Sequence, residues 1–384
     1  MKSISYDIDP GGDVEIVLTK PNTQNVVPDL DLHGPKGPSS HLLEVRKGDP
    51  DSKKFDSTWL FDDYQTLGDL NKVPTGKQGD QETTKTTEFR MRVSSRHLTF
   101  ASPVFKAMLH GPWIEGNSST SFVREISATE WNPQALAVVL NVLHGRFRQV
   151  PRIISIKFFV DITIIAEYYQ CEEAMQFCAE TWYADAYKPL ETFCKKSIMW
   201  LYIAWVFPWP DLLLTMTKVA LKHSQGLDTV KTKDLPVAQV LGIVDEARQE
   251  LIGRLLVGID ELHDKLSTEF GCPRNKSIGC SATTLGSLVR GTRPLDHLDA
   301  PFEGHSVAEV LGIIQDLDHP RPSTIDRGGD ACAYDYATLH NCSATSRMKP
   351  VVSGVKKDME MIGLASFKLE AEEDRAKEVY GIFR

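Results

Sequence analysis

Phe89-Arg90-Met91-Arg92-Val93, followed directly by Ser94-Ser95-Arg96-His97-Leu98-Thr99-Phe100-Ala101-Ser102-Pro103-Val104-Phe105-Lys106-Ala107-Met108-Leu109, is the stretch from which the rest of the chain is read. In its first five residues apolar side chains alternate with arginines, the period of a strand with one buried face. From Leu98 onward the period changes. Leu98, Ala101, Phe105, Met108 and Leu109 recur at spacings of three and four, which predicts helix, and Ser94 or Ser95 can cap its start. Pro103 has no backbone donor, so the pattern predicts a split into two helices, the second opening at Ser102 with Pro103 in its first turn.

Working outward, Val123-Arg124-Glu125-Ile126 reads as another strand. Trp131-Asn132-Pro133 leads into a helix from Gln134 to His144 that Gly145 ends. Ile153 to Tyr169 is a strongly apolar helix, and Glu172 to Tyr187 another, with Met175, Cys178, Ala179 and Trp182 on one face. Upstream, Val14 to Leu18 follows the turn residues Pro10-Gly11-Gly12 and reads as a strand. Between Thr19 and Lys85 the prolines 21, 28, 35, 38, 50 and 74, with many aspartates and lysines, leave no helix period. That composition predicts a long, partly disordered excursion, in which only His41 to Val45 suggests a further short strand. Beyond Pro189 the chain reads as helical, with loops at Cys272 to Cys280, Gly291 to Gly304 and His319 to Gly329. Val237 to Ile243 nearly recurs as Val307 to Ile313, which we read as two amphipathic helices and not as a repeat array. A last helical segment, Val355 to Val379, is rich in Lys and Glu.

The chain has 384 residues, enough for more than one core, with 41% hydrophobic and 25% charged residues and a net charge of −9. The basic residues are scattered, and the densest cluster, Arg146, Arg148 and Arg152, reads as loop punctuation, so no direct nucleic-acid partner is expected. The start of the chain carries Asp7 and Asp9 and no apolar signal core. An intracellular protein, cytoplasmic or nuclear, with reduced cysteines is therefore expected. Ile198 to Leu214 is the longest apolar stretch, but Pro208, Pro210 and Asp211 interrupt it. It falls short of the roughly 20 residues that a membrane helix needs, so we read a bent, buried helix and no membrane partner.

The ordered set of Phe89 to Val93, Ser102 to Leu109, Val123 to Ile126 and Ile162 to Cys171 resembles the BTB/POZ domain, a protein-interaction fold. The resemblance implies an α+β fold class, a small sheet with packed helices, followed by a mainly α-helical C-terminal region. Its boundaries are residues 1–87 for a first strand plus a long insertion, 88–187 for the BTB/POZ core and 188–384 for the helical region. Val14 to Leu18 would be the first strand of that domain, and the helix that many members place ahead of it is not found. Members of the family form homo- or heterodimers, and many are substrate adaptors for cullin-based ubiquitin ligases. The cullin-binding members carry a hydrophobic residue, any residue, then glutamate after the helix that ends here at Leu109, and this chain has Trp113-Ile114-Glu115 there. The resemblance thus implies protein partners, a cullin at Trp113, Ile114 and Glu115 or a second BTB domain. The alternative is a dimeric scaffold or transcription-associated protein with no ubiquitin role.

No phosphate-cradling glycine loop, nucleophile elbow or HExxH is present, and paired acids such as Glu172-Glu173 read as solvated charge. Neither an enzyme activity nor a cofactor is therefore expected. Cys272 and Cys280 in one loop-rich segment, with Cys332, His340 and Cys342 in another, would suffice for a four-ligand zinc site. Their spacings do not match the compact CxxC of common zinc fingers, so independent thiols are expected. Cys171, Cys178 and Cys194 read as small core hydrophobes, and His97, His110 and His144 as helix-end or surface residues.

Overall fold

The computed structural model describes residues 2–31, 87–111, 123–273, 276, 278–317 and 342–361. Within them the fold is α+β, a small mixed sheet joined to a larger set of helices. Strands β1 (Lys2–Asp7), β2 (Val14–Thr19), β4 (Thr87–Val93) and β5 (Arg124–Thr129) form a sheet of order β1-β4-β2-β5. β4 runs antiparallel to β2 and parallel to β1, while β2 runs parallel to β5. Alternation sets its two faces. Ile4, Tyr6, Val14, Ile16, Leu18, Phe89, Met91, Val93, Ile126 and Ala128 are buried on one side, and the intervening residues are largely polar. The strands expected at Val14 to Leu18, Phe89 to Val93 and Val123 to Ile126 are present, with β5 continuing to Thr129. β1 was not anticipated, although Ile4 and Tyr6 alternate with Ser3, Ser5 and Asp7.

Gly12 sits where β2 begins because a Cβ there would lie 2.2 Å from the Val93 carbonyl oxygen. The split at Pro103 is as expected: α1 is Ser95–Ala101 and α2 is Pro103–His110, with Ser102 as N-cap and Pro103 at the first position. Neither Ser94 nor Ser95 caps α1 from within. The cap comes from afar, since Asp13 accepts hydrogen bonds from the Ser95 backbone and hydroxyl, each at 2.8 Å. Asn132 caps α3 (Pro133–Leu143), and Gly145, at φ 67°, turns the chain out of it. α4 (Ile156–Tyr168) and α5 (Glu172–Ala186) follow, and α5 buries Met175, Cys178, Ala179 and Trp182, the face its spacing predicts.

The excursion expected after Thr19 is ordered at its start. Val26 is buried, and β3 (Asp29–Leu30) pairs antiparallel with β6 (Val230–Lys231) of the helical region. Residues 32–86, including His41 to Val45, lie outside the described residues. The interrupted apolar stretch becomes α6 (Lys195–Val206) and α7 (Pro210–His223), with the bend at Phe207 to Trp209. α8 (Ala238–Thr268) buries a stripe at three and four residue spacings from Val240 to Leu266, on which α7, α9 (Ile278–Thr292), α10 (Val307–Gln315) and α11 (Ala344–Met361) pack. Of the segment expected at Val355 to Val379, the part to Met361 belongs to α11, which starts earlier, and the remainder lies outside the described residues. No helix among the described residues is long and apolar enough to cross a membrane.

Candidate functional site

Trp113, Ile114 and Glu115 lie outside the described residues, between α2 and β5. The Gly111 amide donates to the Ala107 carbonyl at 2.8 Å and closes α2. Across the gap Arg124 donates to the Leu109 carbonyl at 3.3 Å and to Asp13 at 2.9 Å. The two ends of the segment are thus fastened at one place, and Asp13 holds β2, α1 and β5 together. Burial pushes the Asp13 carboxyl up, but the bonds from Ser95 and Arg124 outweigh it and hold the group below its ordinary value. Sequence reading missed this clamp because its members are remote in the chain.

The helical pair is locked onto the domain from the other side. The Ser102 hydroxyl accepts from the Phe105 amide at 3.0 Å and donates to the Tyr169 carbonyl, and the Phe105 and Tyr169 rings stack with centroids 4.1 Å apart. Phe100 at the end of α1 is 94% exposed and Phe177 on α5 is 74% exposed. Large apolar side chains presented to solvent on rigid helices are the raw material of association.

The polar face of the sheet does not offer free positive charge at Arg90. This guanidinium bonds Glu15 at 2.6 Å, Glu88 at 2.5 Å and Glu125 at 2.9 Å. Arg146 of the loop cluster donates to the Asp7 and Ile8 carbonyls and so fixes the end of β1. Both are engaged internally.

The aromatic run from Trp200 to Trp209 is core. Phe159 of α4 meets Trp182, Trp200, Phe207 and Trp209 with ring centroids 5.5 to 6.2 Å apart, and Tyr202 donates to Glu167 at 2.5 Å. This packing joins the first helices of the C-terminal region to α4, so the run is not a docking surface of its own.

The cysteines of the C-terminal region are not independent. The Sγ atoms of Cys272, Cys280 and Cys342 all lie within 4.8 Å of one another, and Cys272 and Cys342 are 3.0 Å apart. Cys332 and His340 lie outside the described residues. Cys272 follows the end of α8, Cys280 is in the first turn of α9, and Cys342 precedes α11. Burial first, then the neighbouring thiols, push Cys280 up to about 11, and burial also raises Cys342. Around them, Glu269 accepts two bonds from Arg347 at 2.9 Å and one from Ser281 at 2.6 Å. Spacing rules could not find this cluster, because tertiary packing and not a local turn brings Cys342 to the other two.

No family model, curated protein or solved structure matches this chain.

Proposed function

We propose that this chain is a non-enzymatic protein-interaction protein built on a BTB/POZ-type domain and acts as a substrate adaptor for a cullin-based ubiquitin ligase. The observation that carries the reading is the order of elements around the quoted stretch: β2, β4, the helical pair α1 and α2 split at Pro103, β5, then α3, α4 and α5. Their core residues coincide with the segments on which the resemblance rests, including Phe89, Phe105, Leu109, Ile126 and Ile162 to Ala166.

In this reading Trp113 anchors in an apolar groove of the cullin while Glu115 fixes register at its rim. The fastening of Leu109 to Arg124 supports it, because a recognition segment with anchored ends loses less entropy on binding. The helical region beyond α5 would then hold the substrate. The scaffold alternative rests on the exposed Phe100 and Phe177, which a second copy could cover.

The test is affinity capture of the full chain from a cell extract. Cullin should be recovered with the wild type and lost with Trp113→Ala combined with Glu115→Ala. Equal recovery with both proteins would sink the adaptor reading. Absence of cullin together with a dimeric mass would favour the scaffold.

A further inference from the structure

Cys272, Cys280 and Cys342 come from three separate segments, the first and the last 70 positions apart, yet their sulfurs converge within 4.8 Å. We propose that these three side chains bind one zinc-class divalent ion, which fastens the end of α8 to the starts of α9 and α11.

The distances fit such an ion. A tetrahedral centre with zinc–sulfur bonds of about 2.3 Å places its sulfurs about 3.8 Å apart. The observed separations, from 3.0 Å to at most 4.8 Å, bracket that value, so adjustments of about 1 Å admit the ion. The donor set is entirely sulfur. Soft thiolates select zinc, copper(I) or iron and disfavour magnesium and calcium, which take oxygen ligands. On binding, each thiol gives its proton to solvent and its sulfur lone pair to the metal. Three sulfurs fill three tetrahedral positions and leave one for water or a further side chain.

The surroundings are built to hold the sulfurs still. Arg347 lies beside Cys342 and is held by both oxygens of Glu269, at 2.9 Å each, while Glu269 also takes the Ser281 hydroxyl one residue beyond Cys280. The Thr284 hydroxyl lies 3.3 Å from the Cys342 carbonyl, and Ser343 caps the Ser346 amide at 3.1 Å. An outer layer that orients the ligands is the usual company of a metal centre. Three protonated thiols packed side by side contribute little by themselves. An ion shared among them would link the end of α8 to the starts of α9 and α11.

The experiment is elemental analysis of the full chain purified under reducing conditions without chelator. About one zinc per chain is expected, falling below about a tenth in Cys280→Ser and in Cys342→Ser. Because a variant could unfold, the wild type is also stripped with a chelator and refilled with cobalt. Thiolate-to-cobalt charge-transfer absorption should appear, and zinc should restore the thermal unfolding temperature that chelation lowers. Folded wild-type chain that holds less than about a tenth of an equivalent of metal and takes up no cobalt would overturn the proposal. So would an intact mass two hydrogens short under these conditions, which would mean a Cys272–Cys342 disulfide instead.

Discussion

Arg248 is fully buried on α8, a position that arginine almost never occupies unless it is paired. Its guanidinium pairs with Asp245 at 2.7 Å and donates to the carbonyls of Pro301, Phe302 and His305, pinning the turn ahead of α10. Arg248→Met should cost about 3 to 5 kcal/mol in denaturant unfolding, because it leaves Asp245 buried without its cation and takes the Arg248 donors from three carbonyls, of which only that of Phe302 keeps another, the His305 amide. Adding Asp245→Asn should recover part of that loss; full additivity of the two changes would contradict the pairing. His144 supplies a pH-dependent counterpart. Its Nδ1–H donates to the Leu140 carbonyl at 2.7 Å and its Nε2 accepts the Ser94 amide at 3.0 Å, an arrangement open only to the neutral ring. Burial lowers its pKa, with the backbone bond and Asp9 opposing and His97 and Arg146 reinforcing. Below about pH 6.5 the unfolded chain therefore takes up a proton that the folded chain resists, and stability falls as pH drops through that range. Unfolding measured at pH 7.5 and 5.5 should show a smaller loss in His144→Gln than in the wild type, and equal losses would refute the assignment.

At the scale of elements, the joint between α1 and α2 is the feature that sequence described best. Ser102 and Pro103 determine it locally, one by capping and the other by lacking a donor, so no tertiary information is needed to place it. What sequence could not give is the second bond of Ser102, to the Tyr169 carbonyl 67 residues away. Ser102→Ala removes both and should destabilise the chain by about 1 to 2 kcal/mol, with Ser102→Thr recovering some of it. A loss confined to a few tenths would mean that the stacked Phe105 and Tyr169 hold the pair unaided. Ser94 holds the N-cap position of α1 as its place in the sequence suggests, but its side chain makes no capping bond, for the same reason. The acceptor, Asp13, lies just ahead of β2, and only the assembled sheet brings it to Ser95.

For the whole molecule, legibility followed the range of the interactions. Strands and helices with a periodic buried face, such as β4 and α5, were readable because one side chain in two or in three to four must meet the core. β1 was missed because Ile4 and Tyr6 are too few to announce a strand, and it forms by pairing with β4 some 80 residues on. The aromatic run was readable as bent and apolar, but only Phe159 decides that it is core. The thiol cluster was least legible, since Cys342 is brought to Cys272 and Cys280 by the packing of α8, α9 and α11. The functional account, association through surfaces without chemistry, turns on Trp113-Ile114-Glu115, where the fold fastens both flanks. Titration of the purified full chain with a purified cullin, read as a dissociation constant, tests it most directly. Saturable micromolar or tighter binding, weakened at least about tenfold by Trp113→Ala with Glu115→Ala, is the predicted result. Absence of binding, or binding that the double substitution leaves unchanged, would contradict the adaptor reading.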